Sequence, residues 1–165
     1  ILLRSLDCLH IENCPKVESF PEEGLPSNLT RMSLSTSYKL IVSLKGALGA
    51  NNSLKSLYIQ NLDVESFPDE GLLPLSLHCL QIDKCPNLKI LDNKGLCKLS
   101  SLEELSLGNN PNLQCLLEEA LPKSISTLDI LDCPLLKQRC LGPKGKDWGN
   151  IIHINNVWVD HKLLR

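Results

Sequence analysis

The chain is poor in aromatic residues. Two Trp, two Tyr and two Phe are spread over 165 residues, 4% in all. A core built almost wholly from Leu and Ile calls for a regular, repeated environment. No apolar run approaches the length of a membrane span, so no spanning helix is expected. Charge of one sign is also missing: 17 Lys and Arg face 19 Asp and Glu, for a net −2. That removes the basic footprint expected of a nucleic-acid binder.

Catalytic signatures are absent. GxSxG, HExxH and GxxxxGK(S/T) do not occur, and GPKGKD at 142–147 has the residues of a phosphate loop without its spacing. No nucleophile–base pair stands out, so the chain is read as no enzyme. Eight cysteines occur, at 8, 14, 79, 85, 97, 115, 133 and 140, and no pair has CxxC spacing. This weakens zinc and thioredoxin-like readings. The chain opens on Ile1-Leu2-Leu3-Arg4 with neither Met nor a signal peptide, and is read as a fragment of a longer protein.

What is present is repetition. VESFPEEGL at 17–25 returns as VESFPDEGL at 64–72, changed at one position. A second pattern, LxxLx(L/I)xx(C/N)PxL, starts at Leu6, Leu77, Leu102 and Ile125, with weaker copies at Leu29 and Leu54. The steps alternate between 23 and 25 residues, so the recurring unit is a pair and the duplicated phrase falls in matching halves of neighbouring pairs. Within the pattern, Leu9 and Ile11 point inward while His10 and Glu12 point outward. The next position, Cys14, Cys85, Asn110 or Cys133, turns in where the chain leaves the strand. Pro15, Pro86, Pro111 and Pro134 then end it. No unit buries its apolar face alone, so neighbours must stack.

This pattern resembles the leucine-rich repeat. It implies an α/β solenoid with a curved, parallel β-sheet on the concave face and loops and short helical turns on the convex face. About six repeats occupy residues 1–136, and residues 137–165 form a C-terminal cap and tail. The first repeat lacks a cap, so residues 1–25 are expected to fray or to self-associate. In the tail, 151–154 and 157–159 read as strands, with Trp148 over the last layer. Trp148 and Trp158 can serve as cap or as ligand anchors, and the cap is favoured.

Cys14, Cys85 and Cys133 share one repeat position, as metal ligands, disulfide partners or buried thiols standing in for Asn; the last is favoured. With no disulfide framework spacing, they suggest a reducing compartment. His10 and His78 read as exposed strand residues sooner than as metal ligands. The sequons at Asn28 and Asn51 carry little weight.

The repeats, the FP-E-GLP connector and the terminal CPLLKQRC-x2-P-x-GKDW-x2-I-x-HI-x2-V-x-VD resemble the C-terminal end of plant coiled-coil nucleotide-binding leucine-rich-repeat disease-resistance proteins. The resemblance implies a protein-interaction module of a cytoplasmic immune receptor. It would help recognise pathogen effectors and restrain a nucleotide-binding switch that is absent here. ATP or ADP belongs to that absent module, and this segment needs no cofactor. Alternatives are an extracellular receptor ectodomain and a ubiquitin-ligase adaptor.

A protein partner would meet the outward columns of the sheet: His10, Glu12, Arg31, Tyr58, Gln60, Gln81, Asp83, Glu103, Glu104, Asp129 and Leu131. With Asp7, Asp132, Lys55 and Lys84 added, this face carries seven acids against three bases, the excess lying in the later repeats. It is read as an acidic patch for a basic surface, on an effector or on the receptor's own nucleotide-binding module.

Overall fold

The computed structural model describes residues 5–21, 24–35, 38–48, 53–116 and 121–164. The expected fraying of residues 1–25 and the sequon at Asn51 rest in part on residues outside that set. Elements follow in the order β1 (Cys8–Glu12), β2 (Arg31–Ser35), α1 (Tyr38–Leu48), β3 (Ser56–Gln60), β4 (Ser66–Phe67), β5 (Cys79–Asp83) and β6 (Ile90–Leu91). Then come α2 (Asn93–Leu96), β7 (Glu104–Gly108), β8 (Thr127–Leu131), α3 (Pro134–Cys140), α4 (Trp148–Ile151), β9 (Asn156–Val159) and β10 (Lys162–Leu163).

One eight-stranded sheet runs β1-β2-β3-β5-β7-β8-β9-β10, parallel except where β10 folds back on β9. Each repeat therefore adds one strand, and the register is locked by the repeat length. Met32, Leu57, Leu80, Leu105, Leu128 and Val157 form one buried row across the strands. Leu34, Ile59, Ile82, Leu107, Ile130 and Val159 form the next. A slip of one residue would turn both rows into water, which is what fixes the pairing. The architecture is a leucine-rich-repeat solenoid.

The turns are repeated as closely as the strands. The residue after β1, β3, β5, β7, β8 and β9 is left-handed: Asn13, Asn61, Lys84, Asn109, Asp132 and Asp160 all have φ between 46° and 57°. That conformation swings the following side chain inward. The Cys/Asn-Pro turn then closes with an N–H returning to the carbonyl three residues back, as from Leu88 to Cys85 and from Leu113 to Asn110. Asn110 is fully buried; its Oδ1 accepts the Cys85 N–H at 2.9 Å and its Nδ2 donates to the Ile82 carbonyl at 3.0 Å. Cys133 occupies the same place one repeat later and donates Sγ–H to the equivalent carbonyl of Leu107. Cys14 departs from the expectation of a buried thiol. It is exposed, because nothing described stacks on the outer side of β1.

The duplicated phrase holds both phenylalanines. Phe67 is fully buried in β4, which pairs in parallel with β6 behind the main sheet. Phe20, its counterpart, is half-buried, and its N–H donates to Ser43 Oγ in α1. The second repeat lacks the Cys-Pro turn, and α1 fills that space with Leu40, Ile41 and Leu44.

The tail corrects one expectation. Residues 151–154 are not a strand but the end of α4 and the turn after it, whereas Asn156–Val159 joins the sheet beside β8. Buried Asp147 accepts two hydrogen bonds from Arg139, Nε at 2.8 Å and Nη2 at 2.7 Å, tying α4 to α3. Trp148 packs half-buried against the core. Gly145 is required there, since a Cβ would lie 2.2 Å from the Arg139 carbonyl oxygen.

Candidate functional site

The outward side chains of the sheet fall into three columns. One runs Cys8, Arg31, Ser56, Cys79, Glu104, Thr127, Asn156. The middle one runs His10, Ser33, Tyr58, Gln81, Ser106, Asp129, Trp158. The third runs Glu12, Ser35, Gln60, Asp83, Gly108, Leu131. Of the residues expected on this face, His10, Glu12, Arg31, Gln81, Glu103 and Glu104 are exposed, and Tyr58, Asp129 and Leu131 are half-buried.

Gln60 and Asp83 differ from the expectation. They are 8% and 7% exposed, so they are buried polar groups and not contact residues. Tyr58 lies over them: its hydroxyl donates to Asp83 Oδ2 at 3.0 Å and lies 3.3 Å from Gln60 Oε1. Asn109 Nδ2 donates to Asp83 Oδ1 at 2.8 Å. The carboxylate also occupies the place where residue 108 would carry a Cβ, only 2.6 Å away, which is why glycine stands there. Burial, and then the bond to Asp83, push the Tyr58 phenol up to about 12. This cluster stiffens the middle of the sheet and leaves the charges at its two ends to meet solvent.

At the N-terminal end Arg31 neutralises Asp7, with Nη2 2.7 Å from Oδ2. His10 Nε2 lies 3.2 Å from Glu12 Oε2. At the C-terminal end, among the described residues, no Lys or Arg comes within ion-pair distance of Glu103, Glu104 or Asp129. Elsewhere acids do find cations across repeats, as in Glu65–Lys89, Glu70–Lys98 and Asp160–Lys137.

Of the acids at the C-terminal end, Glu104 and Asp129 border a groove of about 390 Å³ lined by Cys79, Gln81, Ser106, Trp158 and His161 among others. Cys79 is hydrogen-bonded to Glu104, and burial followed by the Glu104 charge raises its thiol pKa. Trp158 is 38% exposed and stands beside Asp129 in register. The expectation that it caps the solenoid is therefore corrected: Val157 and Val159 face the core, so Trp158 must face out. A smaller groove of about 180 Å³ lies over Arg31, Ser33, Tyr58 and their neighbours.

All eight cysteines are thiols. Burial pushes Cys85 and Cys133 up to about 11 and Cys140 up to about 12. Among the described residues no group of three or more His, Cys, Asp or Glu could hold a metal ion. No helix among them is long and apolar enough to cross a membrane.

No family model matches the chain, and no solved structure does. It is 38% identical, over an alignment spanning 185 positions and covering 96% of its length, to the Arabidopsis thaliana protein named "Putative disease resistance protein At3g14460". The chain spans 13% of the length of that relative. The chain is thus a leucine-rich-repeat solenoid that is similar, over 96% of its length, to a plant protein named as a putative disease-resistance protein.

Proposed function

We propose that the chain is a protein-interaction segment of an intracellular plant immune receptor. In this reading it contributes to effector recognition and restrains a nucleotide-binding module carried elsewhere in the receptor, where ATP or ADP would bind. The likeness to a disease-resistance protein carries the reading. Two features support it. The sheet offers a rigid curved face, the usual binding surface of a solenoid. Its buried thiols act as hydrogen-bond donors, Cys85 to Asp83 and Cys133 to Leu107, which suits a reducing compartment.

Charge on Glu103, Glu104 and Asp129 would steer a basic partner and orient it. The test measures binding of the chain to the nucleotide-binding portion of its receptor at low and high salt. Replacing Glu103, Glu104 and Asp129 together by Lys should abolish the low-salt gain in affinity. Unchanged binding with an unchanged salt slope would remove this face from the interface. Deleting the segment from the receptor should release defence signalling without an effector; a silent deletion would refute the restraining role.

A further inference from the structure

We infer that the groove between β5 and β9 is a socket for a single arginine side chain of a basic partner segment. The inference deepens the interaction role proposed above and rests on it. Three observations converge. Asp129 and Glu104 sit on adjacent strands two positions apart, and both line the groove. Strands in a sheet lie about 4.8 Å apart, which puts Trp158 immediately beside Asp129. The indole is 38% exposed although it is the largest side chain on the face, and it forms one wall of the groove.

A groove that holds an exposed indole and two carboxylates is complementary to a planar cation. A guanidinium stacks on an indole face and donates in-plane hydrogen bonds to carboxylate oxygens at the same time. An ammonium can use the charge but not the fork. The volume, about 390 Å³, is near the small end of ligand pockets and suits one long side chain. Ser106 and Thr127 give the floor polar atoms but no charge. His161, on the turn into β10, is the other titratable group on the rim besides the two acids and Cys79. Exposed Trp and incoming Arg are the residue types that most often dominate interface energetics.

The experiment titrates the isotope-labelled chain with the peptide acetyl-Ser-Gly-Arg-Gly-Ser-amide and with its Lys, citrulline and Glu counterparts. The indole N–H signal of Trp158 is followed, assigned by comparison with Trp158→Phe. The arginine peptide should move that signal saturably, with affinity in the millimolar range expected of one side chain. The lysine peptide should bind about threefold more weakly, and the citrulline and Glu peptides should leave the signal in place. Glu104→Gln combined with Asp129→Asn should weaken arginine binding about tenfold or more. Glu18→Gln, in the first repeat, should change nothing. All these side chains are partly or fully exposed, so the remaining spectrum should be retained and will report any loss of fold.

Citrulline binding as well as arginine, or arginine binding that ignores the double carboxamide variant, would overturn the socket. The two readings fail separately. If the chain binds the nucleotide-binding portion of its receptor while arginine leaves Trp158 unmoved, the socket is wrong and the interaction role stands. If Trp158 answers to arginine but that portion is not bound, the socket stands and serves another basic protein.

Discussion

Asn110 is the position where one side chain joins two repeats, and its replacement has a calculable cost. The residue is 0% exposed. Its carboxamide satisfies the Cys85 N–H and the Ile82 carbonyl, both of which belong to the preceding repeat. Asn110→Ala strands both groups away from water. An unsatisfied buried group costs about 1–3 kcal/mol, so the pair should cost about 3 kcal/mol. With a urea m-value of about 2 kcal/mol per molar, the unfolding midpoint should fall by about 1.5 M.

Asn110→Cys makes the argument sharper, because the chain itself uses Cys at this place. Cys133 donates Sγ–H to the Leu107 carbonyl at 3.5 Å, matching the bond from Asn110 to Ile82. Its sulfur also receives hydrogen bonds from the backbone and side chain of Asn110, which lower a thiol pKa that burial raises. A thiol therefore serves both groups, though over longer distances. The Cys variant should lose about 1 kcal/mol, a third of the Ala effect. Urea unfolding followed by Trp fluorescence and by circular dichroism gives both midpoints, and agreement of the two probes tests cooperativity. If Asn110→Cys falls as far as Asn110→Ala, the cysteines are not standing in for asparagine. If Asn110→Ala moves the midpoint by less than about 0.3 M, the amide does not join the repeats at all.

Asp147→Asn should cost about 2 kcal/mol, somewhat less than a fully buried pair because a third of the Arg139 side chain meets water. The loss should appear as faster amide exchange in 134–154 while β3 and β5 stay protected; uniform loosening would contradict a local latch. The chain has two tyrosines, and burial first, then hydrogen bonds to Asp69 and Asp83, push both Tyr38 and Tyr58 up to about 12. Both phenols should therefore titrate near 12 by absorbance in the folded chain and near 10 in urea. Because the folded values lie above the unfolded ones, this contribution to stability is complete below pH 10 and lost as pH rises toward 12. A phenol ionising near 10 in the folded state would show that the sheet does not shield it. Thiol labelling at pH 8 should modify exposed Cys8, Cys14 and Cys97 fast and buried Cys85, Cys133 and Cys140 last. Equal rates for Cys14 and Cys85 would refute the placement of the repeats.

The repeat period made the solenoid legible, because leucine spacing in this chain is set by one physical demand, that every strand bury the same two residues. Depth on the outward face was not legible in the same way. Alternation gives a direction for each side chain and no measure of what lies over it. Gln60 and Asp83 do point out of the sheet, yet Tyr58 from a neighbouring column covers them. Only a residue too large for its own column can do that, and nothing in a period of two records it. The left-handed turns were half legible: Asn or Asp marks them at five of the six described positions, whereas Lys84 gives no sign.

The tail carries two signals of different period. Ile-Ile-His-Ile at 151–154 looks like a strand by composition. A strand would bury alternate residues; here Ile151 and Ile154 are buried and Ile152 is 47% exposed, which is the three-residue spacing of a helical turn. The true strand follows, where Val157 and Val159 repeat the spacing of Leu128 and Ile130 and pair with them in register. Aligning those valines with the repeats places Trp158 beside Asp129 on the outer face. The feature that turns a polar sheet into a groove with an aromatic wall was thus written in the sequence, as a seventh copy of the strand that lacks every other mark of the repeat.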